Sequence, residues 1–479
     1  MAHWSISYCP RSPRIIERTQ ELCGKEFPQL PRICVDECLE GGYDIDYFFE
    51  HFAPRLAALG VAVLDCTFGS MVAAPGRNPE VSAWENIGPG FYTPNAVNLG
   101  NIEYLKKRLV EKGIDMALVG SANLCTPEDL RKMVEPGRAE FAGTCRLSMD
   151  DPEYANKIAE GREHEVRKST RTGSSLLLGG IFSKGWAGSA QNPSFGRDHE
   201  YRIRPTSRPK KVVVVGGGSG GMEYAIIAKE IGHDVILYEK SNHLGGAMDW
   251  GGNYAKVPNM EIIRYQPEYH RAMMDKLNVS YHLNCDVTVE QIVEQKPDVV
   301  VIATGSKWDL PEIEGLADAL NSGFAATIDQ AMSREEEFDP GETPVILGSG
   351  MGCELAIDYA LRGLKVRIID EKPKHHPVNY LGSRGPKVAD FMEKLGLAIE
   401  SDIKLVAVNS GEVLVANGTG NAAPIPASRL IVCPERLPAD DLAAKLQGKG
   451  FKVQVIGDAR EPRSYANAIQ EAAYLSRQL

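Results

Sequence analysis

The chain has 479 residues, 43% of them hydrophobic and 24% charged, with a formal net charge of −11 and a pI near 5.5. That length exceeds what one hydrophobic core serves and points to two to four domains. The acidity argues against nucleic acid or an anionic membrane as a partner, since both select a basic surface. The N-terminal stretch MAHWSISYCPRSPRIIERTQ lacks the basic-then-apolar build of a signal peptide, and apolar runs such as DVVVIATG have strand rather than membrane length, so a cytoplasmic protein is expected. Ten cysteines are scattered, with only Cys34 and Cys38 close together; this fits no metal or disulfide spacing and predicts reduced thiols.

Residues 1–160 alternate helix and strand. Strands are predicted at LPRICVD, GVAVLDCT, IDMALVG and AEFAGTC, and helices at RIIERTQEL, YFFEHFAPRLAAL, IEYLKKRLVEK and PEDLRKMV. Such alternation makes βα units and a parallel sheet. Four units are half of a (β/α)8 barrel, with two open strand edges and one uncovered face. The missing half is expected from self-association or from a partner subunit. Residues 161–209 read as a linker, whose segment EVRKSTRTGSSLLLGG (Glu165–Gly180) carries no cysteine, histidine or carboxylate after Glu165.

From Lys210 the chain reads KKVVVVGGGSGGMEYAIIAKEIGHDVILYEKSNHLGGAM: strand, glycine turn, helix, strand. Gly216, Gly218 and Gly221 form G-x-G-x-x-G around Ser219 and Gly220. The first glycine permits the tight turn, the second lets backbone N–H groups approach a pyrophosphate, and the third lets helix and strand pack closely. Glu239, followed by Lys240, ends the second strand about 20 residues on, where an acid accepts ribose hydroxyls. Gly245 and Gly246 follow closely, Ala303-Thr304-Gly305 ends a strand leading out of the domain, and Gly457-Asp458 sits between a strand and a helix near the C-terminus. A late G-D element of this kind caps FAD in two-dinucleotide flavoenzymes. FAD is therefore expected over residues 210–310 and 430–479, with ADP alone as the alternative.

Residues 311–429 hold a second Rossmann-like unit, TPVILGSGMGCELAIDYALRGLKVRIIDEK. Its turn runs Gly348-Ser349-Gly350-Met351-Gly352-Cys353, one residue short of G-x-G-x-x-G. The shortening is expected to rotate the helix start by about 100° and to disturb pyrophosphate docking. NAD(P)H is the expected ligand, through Gly348, Gly350 and Asp370. Asp370 and Glu371 favour NADH, whereas Lys372, Lys374 and His375 could clasp a 2′-phosphate. The fold class is thus α/β: a partial (β/α) barrel followed by two Rossmann-like dinucleotide-binding domains, the second inserted in the first.

RICVDECLEGG (Arg32–Gly42), CRLSMDDPEYANKIAEGR (Cys145–Arg162) and NPSFGRDHEY, in that order, resemble the trimethylamine dehydrogenase and 2,4-dienoyl-CoA reductase family of old-yellow-enzyme-like flavin oxidoreductases. The resemblance implies the last four strands of an FMN barrel, an iron–sulfur linker, and FAD and NAD(P)H domains. It places Arg32 at the N1 and C2 carbonyl of reduced FMN, and Gly120 and Arg146 at the FMN phosphate. The loop VGSANL lacks the family's arginine after the glycine, and CTFGSMVAAPGRNPEV lacks its histidine, which leaves that FMN site incomplete. Where the family has four cluster cysteines, this chain has Ser169, Thr172, Ser175 or Leu176, and Ser189. Hydroxyls are poor ligands for iron–sulfur centres, so no cluster and no metal are expected.

Three functions follow. One is an FAD-binding accessory or electron-transfer subunit that pairs its half-barrel with a catalytic flavoprotein. The second is a stand-alone NAD(P)H-dependent flavin oxidoreductase. The third is a non-catalytic subunit that holds ADP or FAD. No catalytic residue is assigned; His243, His375 and His376 read as loop histidines, and Asp115, Asp150 and Asp151 as helix caps or loop-surface groups.

Overall fold

The computed structural model describes residues 11–69, 92–171, 188–254, 256–333, 339, 341–373, 385–417, 420 and 422–479. The chain divides into two compact units, Met1–Arg171 and Thr172–Leu479. Among the described residues no helix is long and apolar enough to cross a membrane.

In the first unit, β1 (Arg32–Cys34), β2 (Val63–Thr67), β3 (Ala117–Gly120) and β4 (Phe141–Ala142) form a parallel sheet in that order. Leu64, Cys66 and Leu118 alternate onto the face that packs with Phe48, Phe49, Ile102, Leu105 and Leu109. Ile102, Leu105 and Leu109 form one stripe of helix α1 (Leu99–Glu111), at the spacing that turns a helix face to a core. Helix α2 (Pro127–Val134) starts with a reciprocal cap between Thr126 and Asp129 and with proline in its first turn. The stretch YFFEHFAPRLAAL forms two helices rather than one, Ile45–His51 and Ala53–Ala58, which meet at Phe52. Pro54 has no N–H for an unbroken ladder and is tolerated only in a first turn. On the opposite face of the sheet Val63, Asp65, Thr67, Ala117 and Val119 stay half-buried. Phe141, in register with Val119, is 52% exposed.

The second unit contains two parallel sheets. In the first, β5 (Lys211–Val215) is central, flanked by β6 (Asp234–Tyr238) and β7 (Ser280–His282) on one side and by β8 (Val299–Ile302) and a C-terminal strand on the other. Its four valines are buried in succession because both faces are covered: Val212 and Val214 pack with Met222, Tyr224 and Met274, and Val213 and Val215 with Ile292, Ala443 and Leu446. The chain leaves through β9 (Ser306–Trp308) and builds the second sheet from β10 (Ala325–Thr327), β11 (Val345–Leu347), β12 (Arg367–Asp370) and β13 (Ile399–Ser401). An antiparallel sheet follows, β14 (Ile403–Asn409), β15 (Glu412–Asn417) and β16 (Ala422–Pro426). Strand β17 (Leu430–Val432) then inserts between β10 and β11. The second sheet therefore extends past the boundary expected at 429, because the buried run LIV serves its centre. The return is β18 (Arg436–Pro438), antiparallel to β9, and β19 (Lys452–Val455) closes the first sheet beside β8.

Candidate dinucleotide sites

The first turn joins β5 to helix α3 (Ser219–Ile231). Gly216 has φ +107°, and a Cβ there would meet the Ala303 carbonyl oxygen at 2.3 Å. A Cβ on Gly221 would lie 1.9 Å from the Gly216 carbonyl oxygen, so the motif's first and third glycines are sterically required. At Gly218 a Cβ would meet nothing within 4 Å. That open space, at the N-terminus of α3 where N–H groups lack helical partners, fits a pyrophosphate. Glu239, buried at the end of β6, accepts from Gly217 N at 2.6 Å through Oε2, and from Ser241 N at 2.8 Å and Ser241 Oγ at 2.7 Å through Oε1. The carboxylate thus locks the turn that it is expected to complete as a ribose acceptor. Lys240 beside it is exposed.

Gly245 and Gly246 close over this turn. Gly245 N donates to the Gly217 carbonyl at 2.9 Å, and Gly246 has φ +58° with its Cβ direction aimed at Gly218 Cα, 3.1 Å away. Ala303-Thr304-Gly305 has a fastening role: Thr304 Oγ1 donates to the Ala439 carbonyl at 2.5 Å and Ala439 N to the Gly305 carbonyl at 3.1 Å, tying the outgoing strand to the returning one. Near the C-terminus Gly457 has φ +64° and its N–H reaches Glu471 Oε2 at 2.8 Å. Asp458 accepts from Arg463 N at 2.9 Å and pairs with the Arg436 guanidinium of β18. No sequence motif marked Arg436. Helix α4 (Tyr265–Lys276) packs against α3 and contributes Gln266 and His270, both buried and likewise unmarked by any motif.

The second turn joins β11 to helix α5 (Met351–Leu361). Contrary to the expected rotation, the helix starts at the same offset in both turns, three residues after the first glycine: Ser219 after Gly216 and Met351 after Gly348. The turn itself is therefore of full length, with Cys353 in place of the third glycine, and the two units differ elsewhere. The helix reaches its terminal left-handed glycine one residue sooner, Gly363 lying 15 after Gly348 against Gly232, 16 after Gly216. Gly350 also takes φ +73° where Gly218 is at φ −78°. Asp370 repeats the role of Glu239, accepting from Ser349 N and Lys372 N, each at 2.9 Å. Cys353 stands where Gly221 does and is fully buried, which pushes its thiol up to about 12. Glu371 is exposed, and Lys372 Nζ pairs with Glu435 at 2.6 Å. Lys374, His375 and His376 lie outside the described residues.

Of the residues assigned to FMN, Arg146 reaches the loop that follows Gly120. Arg146 donates to Asn123 Oδ1 at 2.9 Å, in the loop after Gly120, where Ala122 and Asn123 have positive φ. Asn123 in turn donates to the Thr93 and Pro94 carbonyls. Gly120 has a packing reason of its own, since a Cβ would strike Met133 Sδ at 2.2 Å. Arg32, on β1, faces Asp65 at 3.5 Å with its side chain largely exposed. These contacts turn Arg146 to a neighbouring amide, and the residues present fit an FMN phosphate poorly. Ser169 and Ser189 are buried, and Ser189 Oγ accepts from Gln191 N at 3.0 Å and Asn192 N at 2.9 Å. Thr172, Ser175 and Leu176 lie outside the described residues, among which no cluster of metal-ligating side chains occurs. His243 is exposed beside Asp249, and Asp151 is buried against Lys157.

A family profile described as pyridine nucleotide-disulphide oxidoreductase covers residues 252–457, and one described as FAD dependent oxidoreductase covers residues 211–290. An NADH oxidase of Thermoanaerobacter brockii is 29% identical over 97% of this chain and 68% of its own length. A cinnamate reductase of Clostridium sporogenes is 28% identical over 96% of this chain and 67% of its own length. A solved 2-naphthoyl-CoA reductase in complex with 2-naphthoyl-CoA has a TM-score of 0.86 at 24% identity, over 100% of this chain and 70% of that one, a likeness of fold. The class these matches support is a FAD-dependent flavoprotein oxidoreductase. The two profiles further support binding of FAD and of NAD(P)H, and the chain spans about two thirds of the length of the curated relatives.

Proposed function

We propose that this chain is the FAD- and NAD(P)H-binding part of a flavin oxidoreductase of the trimethylamine dehydrogenase and 2,4-dienoyl-CoA reductase type, an accessory or electron-transfer subunit whose partial barrel is completed from outside residues 11–171. The observation that carries it is the contrast between an intact, carboxylate-locked first turn and a barrel-type sheet that buries only one face. The opposite face of that sheet carries Val63, Ala117, Val119 and the exposed Phe141, and its edge strands β1 and β4 have no further strand neighbour among the described residues. A parallel sheet is stable when both faces are covered.

FAD, when bound, would supply hydride acceptance and onward release of one or two electrons. The work of this chain is to hold and orient. The N–H groups at the start of α3 and the glycines at 216, 218 and 246 would hold the pyrophosphate, Glu239 the adenosine ribose, and Gly457 with Asp458 the flavin half. The corresponding groups for NAD(P)H are Gly348, Gly350 and Asp370. A stand-alone NAD(P)H-dependent flavin oxidoreductase is the second reading, favoured by the matching helix start of the second turn.

The full chain purified from native extract tests both. The first reading expects the visible bands of oxidised flavin, FAD rather than FMN on acid release, bleaching by anaerobic NADH or NADPH, and co-elution with a partner or with a second copy. Colourless protein would sink both readings; a partner-free monomer that turns over NAD(P)H would select the second.

A further inference from the structure

NADH and NADPH differ only by a phosphate on the adenosine ribose, where NADH carries a hydroxyl, and the second turn holds the groups that would meet that position. Asp370 is 5% exposed at the tip of β12. Its Oδ2 accepts from Ser349 N inside the turn and its Oδ1 from Lys372 N, each at 2.9 Å. A carboxylate has about four acceptor sites, so two backbone donors fix its position and leave lone pairs for ribose hydroxyls, which donate. A 2′-phosphate brings acceptor oxygens and about two negative charges at neutral pH. It needs a cation in the same place.

Lys372 is the cation that the backbone puts there. Its own N–H holds Asp370, so its side chain starts beside that carboxylate. It is the one cation among the described residues 371–373. In the first turn Ser241 has the same place, two residues after Glu239 and donating its N–H to that acid. The Lys372 ammonium, however, is turned to Glu435 Oε1 at 2.6 Å. The backbone of Glu435 is anchored: its carbonyl accepts from Asp309 N at 2.9 Å, and the next residue, Arg436, is fastened to Asp458 and to the Arg463 carbonyl. A side chain on an anchored backbone loses less freedom on pairing than one on a loose loop. The same corner carries the exposed Glu371 and Asp402, whose N–H donates to the Lys372 carbonyl at 3.1 Å. Four carboxylates, Asp370, Glu371, Asp402 and Glu435, thus accompany one ammonium, a balance that suits hydroxyls and opposes a phosphate dianion.

We propose that the second turn takes NADH in preference to NADPH, and that Glu435 is a specificity-determining residue, which keeps the Lys372 ammonium from a 2′-phosphate. The inference rests on the NAD(P)H reading of this turn and deepens it. Glu435 lies on the return from β17 to β18, outside both glycine motifs, so no dinucleotide fingerprint marks it.

The test is anaerobic stopped-flow reduction of the FAD-loaded full-length protein, with NADH and NADPH each varied to saturation. Wild-type protein is expected to favour NADH by at least about tenfold in limiting rate over half-saturating concentration, with the difference in the half-saturating concentration. Glu435→Gln narrows that preference by up to about fivefold, the upper range for one exposed ion pair, through tighter NADPH binding. Adding Lys372→Ala to Glu435→Gln cancels the gain, because the released ammonium is what meets the phosphate. The Lys372 and Glu435 side chains are 49% and 75% exposed, so both variants are expected to fold, which flavin content and melting temperature check. Equal use of both nucleotides, or a preference for NADPH, overturns the inference and leaves the NAD(P)H reading in place. A preference for NADH unchanged by Glu435→Gln does the same, as does a gain that survives the loss of Lys372. FAD-loaded protein that neither nucleotide reduces overturns the NAD(P)H reading and the inference together.

Discussion

The two dinucleotide turns carry the same parts with different tolerances. Each places a glycine at positive φ directly after its strand, starts a helix three residues later, and locks the turn with a carboxylate, Glu239 or Asp370, that accepts a backbone N–H from inside the turn 22 or 21 residues before it. In the first, Gly221 presses against the Gly216 carbonyl so closely that no Cβ fits. In the second, a buried cysteine stands in that place and Gly350 bends the other way. A turn closed over its own carbonyl holds a pyrophosphate by rigid geometry. The other keeps the same spacing, with a cysteine in place of the third glycine and Gly350 left-handed, and the one residue it lacks falls before the helix-terminal glycine, where it cannot rotate the helix start.

The largest effect that could break this contrast is at Gly221. Gly221→Ala forces the backbone apart, an overpacking expected to cost about 3 kcal/mol or more. It should lower the flavin-to-protein absorbance ratio by at least about tenfold. Unchanged flavin content would mean that the first turn is not the FAD site. Next come the two carboxylates. Glu239→Ala strands two backbone donors, Gly217 N and Ser241 N, while Ser241 Oγ keeps the His243 carbonyl at 2.8 Å; each stranded donor is worth about 1–3 kcal/mol when buried and unpaired, and the variant should lose both melting temperature and FAD retention. Asp370→Ala should leave flavin bound and raise the KM for NAD(P)H; equal flavin loss in both variants would erase the proposed division of ligands. Smaller still is Gly350→Ala. It meets no atom within 4 Å and strains only the positive φ, at about 1–2 kcal/mol; flavin content holds and bleaching by NAD(P)H slows in stopped-flow traces.

The smallest effect concerns the far ends of the helices. His233 and Leu364 each follow a left-handed glycine and return an N–H five residues back, to Ala228 and Tyr359. His233 Nδ1 accepts from Lys210 N at 3.1 Å, and burial, assisted by the Lys210 charge, holds its imidazole below the ordinary histidine range. A depressed folded pKa means that its contribution is complete above the unfolded value, near 6.5, and is lost as pH falls below it. Melting temperature should therefore drop on acidification. His233→Leu, the side chain of the second unit, should flatten that slope while lowering stability at neutral pH, because Lys210 N loses its acceptor.

Much of the fold could be read from residue pattern. The four valines of β5, the glycines at 216, 218 and 221, and the acids Glu239 and Asp370 announce themselves because local sterics and spacing leave few alternatives. The four parallel strands of the first unit follow the alternation of strand and helix segments. Harder to read were the break at Phe52, where amphipathic spacing outweighs one proline to the eye but not to the backbone, and strand β17, whose membership depends on the sheet it completes. Gln266, His270 and Arg436 had no signature, since their partners Ser219, Glu223 and Asp458 lie 47, 47 and 22 residues away with no fixed spacing to betray them.

By itself, then, the sequence determined where the backbone must turn and which strands are covered on both faces, since Cβ clashes and hydrophobic periodicity act within a few residues. Only the tertiary structure decided which donors each buried carboxylate receives, that Arg436 holds Asp458, that one face of the first unit's sheet is only half-buried among the described residues, and that a histidine stands behind the first turn. Those outcomes depend on the packing of elements far apart in the chain, where burial makes each polar group take whichever partner the fold brings within reach.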